Sequence, residues 1–180
     1  PPSPKQPQLH ILFSFLFSGG VGASAVTQVL VVEELAKVDA TAAIILAVQW
    51  LGALPILVAG SEAQKARYLP KLASGEWLAA MALTEPEAGS DVAGLQARAV
   101  RVDGGYRLTG QKKFISHGAI ADVLTTFART GGPGAKGLSA FIVEKGAPGV
   151  RVGRIERKLG LRASNTAEIL FDDCFVPESH

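Results

Sequence analysis

One cysteine, Cys174, in 180 residues leaves no partner for an internal disulfide and no cysteine-based zinc site, and no metal is expected. Charge is scarce as well. Only 19% of the residues are charged while 48% are apolar, which excludes a disordered tail or a coiled coil. Eighteen Lys and Arg against sixteen Asp and Glu leave a formal +2 with no long basic run, so nucleic acid is not an expected partner. No A-x-A-like cleavage site follows the apolar run Ile11–Phe17, so that run does not read as a signal peptide. At 180 residues, one or two domains fit and three do not.

The charges that exist are unevenly spread. Before Glu62 there are only Lys5, Glu33, Glu34, Lys37 and Asp39. The uncharged stretches Gln6–Val32 (with His10 neutral) and Ala40–Ser61 are long enough to raise the question of a membrane. Ser18-Gly19-Gly20, Gly22 and Ser24 interrupt the first, Gln49, Gly52 and Pro55 the second, and neither has a basic flank. A helix buried on all sides in a soluble bundle has the same pattern, and no membrane span is expected. The start Pro-Pro-Ser-Pro-Lys, without Met, is expected to be the cut end of something longer.

The first third reads as helical. Ala25–Val38 sets Val26, Leu30, Val31, Leu35 and Val38 at near-helical spacing. Asp39 or Thr41 can cap a second helix, Ala42–Ala59, which Gly60 ends. Ser61-Glu62-Ala63-Gln64 spells a capping box for a third helix, which Pro70 is expected to interrupt at about Leu69. From Trp77 the texture changes. Ala97–Val102, Tyr106–Lys113, Asp122–Arg129, Leu138–Glu144 and Ala167–Phe171 are short, β-branched or aromatic, and separated by turn residues. Asp103-Gly104-Gly105 signals a tight hairpin. With no helical pattern between the strands, antiparallel pairing is expected. The fold class is α+β: a helical N-terminal segment followed by an antiparallel β-sandwich or small barrel. The organisation is a tail over 1–19, a partial helical domain over 20–75 and a β-domain over 76–180.

Gly20-Val21-Gly22-Ala23-Ser24-Ala25 fits the G-x-G-x-x-A dinucleotide fingerprint, with Asp39 as a late candidate for a ribose. The rest of a βαβ unit should follow. Ala42–Ala59 is too long and too rich in Ala and Leu to be its second strand, so a glycine turn leading into a core helix is the expected reading.

The informative stretch is Ala82-Leu83-Thr84-Glu85-Pro86-Glu87-Ala88-Gly89-Ser90-Asp91-Val92-Ala93-Gly94. It reads as a strand that stops at Pro86 and becomes a tight polar loop. Gly89 and Gly94 permit close backbone approach, and Thr84 and Ser90 add hydroxyls. Such a loop suits a ligand with planar polar edges and phosphates, and it equally suits an ordinary turn. This stretch matches, at every constrained position, the signature of the acyl-CoA dehydrogenase family, which the chain resembles. Gly110-Gln111-Lys112-Lys113-Phe114-Ile115-Ser116-His117-Gly118 resembles that family's second flavin segment, G-x-K-x-[WF]-I-[TS]-N-G. Phe141–Glu144, Lys158–Thr166 and Asp173–Pro177 continue the resemblance in order, and Val32–Ala36 and Gly60–Lys65 extend it upstream. It covers about residues 20–180 and is nearest to the short- and branched-chain members.

The resemblance implies FAD against the β-domain. Thr84 would bond the pyrimidine end of the flavin, with the backbone of Met81–Leu83 alongside. Ser90 would contact the pyrophosphate, Phe114 would pack on the ring, and Ser116 would reach toward N5. Met81 departs from the aromatic residue usual there. His117 replaces an Asn, which sets either a titratable group near the cofactor or a polar residue at a strand end. The implied reaction removes an α-proton from an acyl-CoA thioester as a hydride leaves the β-carbon. Family members carry the base in a C-terminal helical domain, so no catalytic residue is assigned within 1–180. Glu85 and Asp91 are expected to bond backbone N–H groups instead. Ser90 and Lys136, in the glycine-rich loop Thr130–Gly137, are the substrate-side candidates. The basic stretch Arg151–Arg162 reads as a solvated strand face, Trp50 and Trp77 as core, and Cys174 as a small hydrophobe. An electron-transferring flavoprotein as partner, a homo-tetramer or dimer in the full-length form, and a bacterial cytoplasmic or mitochondrial matrix location follow from the same resemblance. The rivals are an acyl-CoA oxidase or flavin monooxygenase relative, and a non-catalytic binding or assembly module.

Overall fold

A computed structural model describes residues 24–180; Gly20 and Gly22 of the fingerprint and the tail 1–19 lie outside them. Three helices come first: α1 (Ala25–Ala36), α2 (Ala40–Ala59) and α3 (Glu62–Ala73). Each starts where a side chain can take up an orphan N–H. Ser24 Oγ accepts from Thr27 N at 3.3 Å, and Asp39 Oδ1 accepts from Thr41 N at 2.7 Å, so Asp39 caps α2. At α3 both arms of the capping box close, Gln64 N to Ser61 Oγ at 3.2 Å and Ser61 N to Gln64 Oε1 at 2.8 Å.

Pro70 does not stop α3, which runs on to Ala73. The bond it forfeits would reach the carbonyl of Ala66, an exposed residue where water can replace the donor. Pro55 is carried inside α2 for the same reason, since Leu51, four residues earlier, is also exposed.

Seven strands follow: β1 (Ala79–Ala82), β2 (Arg98–Val102), β3 (Gly105–Ser116), β4 (Val123–Arg129), β5 (Leu138–Glu144), β6 (Val150–Ile155) and β7 (Thr166–Pro177). They form one curled sheet in the order β1-β4-β2-β3-β7-β6, with β5 on the free side of β4. The α+β class holds, and Asp103-Gly104 turns the β2–β3 hairpin with Gly104 at φ 74°. Pairing is not all antiparallel. β1 runs parallel to β4 from Ala79↔Val123 to Ala82↔Thr126, and Arg98 of β2 meets Arg129 of β4 in the same sense. The crossover that parallel strands require is here the β2–β3 hairpin rather than a helix, so the absence of a helical pattern did not exclude it. β6, whose basic residues read in the sequence as a solvated strand face, is a sheet edge.

The sheet has two apolar faces. Ala80, Ala82, Leu108, Leu124, Phe141, Val143 and Ile169 pack inside the curl. Ala79, Val123 and Ile142 face the helices, against Ala53, Ile56, Tyr68, Leu69 and Leu72, with Trp50 and Trp77 beside them. Two interruptions of the apolar run fix α2 there. Gln49 is fully buried and donates to Leu72 O (3.0 Å) and Trp77 O (2.9 Å) while accepting from Ala79 N (2.8 Å). Gly52 lies on β1 so closely that a Cβ would stand 2.7 Å from Ala79 Cβ.

Candidate functional site

β1 ends at Ala82, and the chain enters the turn whose composition pointed to a ligand. A buried ion pair holds that turn. Glu85 Oε1 meets Lys112 Nζ at 2.7 Å, with both side chains almost completely out of solvent. The same carboxylate accepts from Gln96 N at 2.6 Å and Ala97 N at 3.0 Å, as the sequence suggested for Glu85. Lys112 adds a bond to Leu83 O at 2.9 Å. Burial pulls the Lys112 ammonium below its usual range, and the Glu85 carboxylate opposes this by favouring the charged form. Asp91 differs from expectation: it is exposed, and its carboxylate makes no capping bond to the turn Val92–Gly94.

Lys112 was not singled out in the sequence, although a signal existed. Leu108 and Lys112 share one phase of the β3 alternation, which sets a lysine on the inward face. An inward lysine needs a carboxylate.

One step later the alternation breaks. Lys112 pairs with Ile169 but Ile115 pairs with Ala167, so β3 carries one extra residue, a bulge. Regular alternation would turn Phe114 inward with Lys112. The bulge turns it out instead: Phe114 is 57% exposed and sits at φ 58°, a left-handed conformation costly for an aromatic residue. Lys113 N donates to Thr84 O at 2.8 Å, tying the turn after β1 to the residue before Phe114. Leu83 and Thr84 are thereby held against Lys112–Phe114. Ser116, half-buried, ends the same strand opposite Thr166, and Met81, also half-buried, pairs with Thr125. Ser90 is exposed beyond the turn. Lys136 is exposed in the β4–β5 loop and makes no hydrogen bond or ion pair to the other candidates among the described residues.

His117 resolves as a structural residue. It is buried at φ 62°, its N–H donates to Asn165 O at 2.8 Å, and its Nδ1 lies 3.1 Å from Ala79 O. Because a carbonyl only accepts, Nδ1 carries the proton. Burial lowers the imidazole's pKa, so the ring stays neutral. Asn165, overlooked in the sequence, also accepts from Ala119 N through its side chain at 3.0 Å and pins the end of β3. Cys174 is buried, and burial raises its thiol pKa. Arg151 is exposed on β6, Arg154 pairs with Glu156 at 3.4 Å, and Lys158 turns back to Ser164 O at 2.7 Å.

An outward aromatic face beside tethered hydroxyl-bearing backbone is what a planar, polar-edged cofactor requires. Over residues 80–174 the chain matches the middle domain of acyl-CoA dehydrogenases, and over 17–76 their N-terminal domain. The chain belongs to the acyl-CoA dehydrogenase family. It is 48% identical over 164 residues to the acyl-CoA dehydrogenase of Bacillus subtilis (strain 168), covering 90% of this chain and 43% of that protein. A chain in the solved structure of the electron transferring flavoprotein of Acidaminococcus fermentans superposes with a TM-score of 0.91 at 42% identity, covering 96% of this chain and 47% of that one. PigA with FAD and proline gives 0.88 at 38% identity, over 93% of this chain and 46% of that one. The chain spans less than half the length of these relatives.

Proposed function

We propose that this chain forms the flavin-binding part of an enzyme that oxidises an acyl-CoA thioester between its α and β carbons. The observation that carries the reading is Phe114, turned outward at a strained bulge beside the tethered Thr84. The residues fit FAD. Phe114 offers a flat apolar face that excludes water, Thr84 and Ser116 would supply hydrogen bonds to the ring, and the Met81–Leu83 backbone would run alongside. Ser90, exposed with its hydroxyl free to donate, serves the pyrophosphate. When bound, FAD supplies the acceptor for the hydride that leaves the β-carbon.

The α-proton needs a carboxylate from outside these residues. Glu85 is buried and committed to Lys112 and two backbone N–H groups, which removes it from a substrate's reach as a base. The substrate is read as an acyl-CoA, with Ser90 and Lys136 on its phosphate side, and the similarity to the Acidaminococcus fermentans chain supports an electron-transferring flavoprotein as the oxidant. A homo-tetramer or dimer of the complete protein and a bacterial cytoplasmic or mitochondrial matrix site accompany this reading. The same holds for a tail over 1–19, a helical domain over 20–75 and a β-domain over 76–180. By length and composition α2 could cross a membrane; we read it as a core helix because Gln49 and Gly52 bind it to β1.

The test uses protein expressed from its complete reading frame, loaded with FAD and kept anaerobic. Addition of butyryl-CoA or isovaleryl-CoA is expected to bleach the flavin band. Thr84→Ala and Ser116→Ala are expected to slow that bleaching by about tenfold or more, the usual scale for losing one placed donor. An FAD-loaded protein whose band survives every acyl-CoA offered is not such a dehydrogenase.

A further inference from the structure

Arg129 ends β4 and directs its guanidinium entirely at main chain. Nε donates to Leu95 O at 3.1 Å, Nη2 to Ala93 O at 2.7 Å, and Nη1 to Gly132 O at 2.6 Å and Gly134 O at 3.1 Å. Four of the five N–H donors of the fork are thus in use. Two of the acceptors belong to the turn that follows Ser90, and two belong to the glycine-rich loop that carries Lys136. Among the described residues, no carboxylate pairs with Arg129. A groove of about 580 Å³ opens beside it, lined by Gln96, Arg98 and Thr130 as well as both loops.

The glycine-rich loop has no side-chain packing of its own at these points, whereas the Ser90 turn is anchored at Leu95, whose side chain is fully buried. A Cβ added at Gly132 or Gly134 would meet nothing within 4 Å, and glycine segments of this kind are conformationally permissive. A forked cation with parallel donors can bind four carbonyls from two loops at once, whereas a lysine has one nitrogen to offer. We propose that Arg129 is a positioning residue for the dinucleotide. By locking the Ser90 turn to the glycine-rich loop it presets the Ser90 edge that receives the FAD pyrophosphate, and it leaves an uncancelled positive charge behind that edge. The inference rests on the FAD reading above. It separates the two ends of the cofactor: pyrophosphate recognition depends on Arg129, while isoalloxazine packing on Phe114 does not.

The experiment compares wild type, Arg129→Lys and Arg129→Met, titrating FAD and riboflavin (the ring system without pyrophosphate) by flavin fluorescence. Both variants are expected to weaken FAD by about tenfold or more and to leave riboflavin within about twofold, in keeping with the strength of charge-assisted bonds. Amide hydrogen exchange on the same samples should quicken in 91–95 and 131–137 together, with the β3–β7 ladder unchanged. Equal losses of FAD and riboflavin would overturn the proposal. So would wild-type FAD affinity in Arg129→Lys, which would make charge alone sufficient, or faster exchange in only one loop. Unfolding of both variants, seen as loss of the far-ultraviolet signal, would make Arg129 a stability residue and overturn it too. A wild-type chain that binds neither flavin would count against the FAD reading, and the exchange data would then decide the loop coupling by themselves.

Discussion

Lys112 and Glu85 form the most tightly enclosed charge pair described in the chain, and the pair also illustrates what a sequence shows and hides. Glu85 was visible as a carboxylate in a ligand-bearing turn, but its partner lies 27 residues away and becomes visible only once β3 brings the strands together. Lys112→Met is expected to cost about 3–5 kcal/mol in urea unfolding, because it strands a buried carboxylate. Lys112→Met combined with Glu85→Gln should cost clearly less than the sum of the two single changes, and strict additivity would show that the pair does not act as a unit. His117 makes a second prediction. It is neutral in the fold and free to take a proton when unfolded. Above about pH 6.5 it therefore has no effect on stability, and below that pH stability falls by up to about 1.4 kcal/mol per unit until the lowered folded pKa is reached. His117→Asn, which keeps a residue tolerant of the left-handed backbone, should flatten that slope between pH 7 and pH 5. His180, whose pKa is also lowered by burial, retains its own share. An unchanged slope would mean that His117 is not the group that titrates.

At the scale of elements, the starts of α2 and α3 were legible because caps are local: Asp39 and Ser61 act within three residues of themselves, whereas the Ser24 cap of α1 was not read. The parallel β1–β4 pairing was not, because nothing local records which strand a short Ala-rich segment will join. Pro70 misled because a proline ends a helix only where the lost bond is left unsatisfied, and exposure of Ala66 is a tertiary fact. The bulge in β3 was hidden for a similar reason, since the motif gives Phe114 and Ser116 but not the extra residue that turns the ring outward. Gly52 offers the sharpest element-scale test. A methyl group there would meet Ala79 Cβ and the backbone between Ala79 and Ala80 at 2.7–2.8 Å, so α2 would have to lift from β1. Gly52→Ala is expected to destabilise the chain by about 1–3 kcal/mol despite the better helix propensity of alanine. A stabilised variant in thermal unfolding would show that α2 does not sit tightly on the sheet.

At the scale of the whole molecule, much apolar surface on the helical side is uncovered among the described residues. Val26, Val29, Leu30, Val38 and Val58 are each more than half exposed, and Leu51 joins them in part. A patch of that kind is covered in a stable protein, and the chain is expected to self-associate at micromolar concentration; a clean monomer in light scattering would contradict this. Function at this scale depends on whether these residues make a flavin site by themselves. The direct measurement is the visible absorption spectrum of the purified chain after FAD is added and the excess removed. A retained flavin band, shifted from that of free FAD and abolished in Phe114→Gly, is the result expected from Thr84, Ser90, Phe114 and Ser116 acting as one site. A colourless chain, or a retained band indifferent to Phe114→Gly, would contradict it.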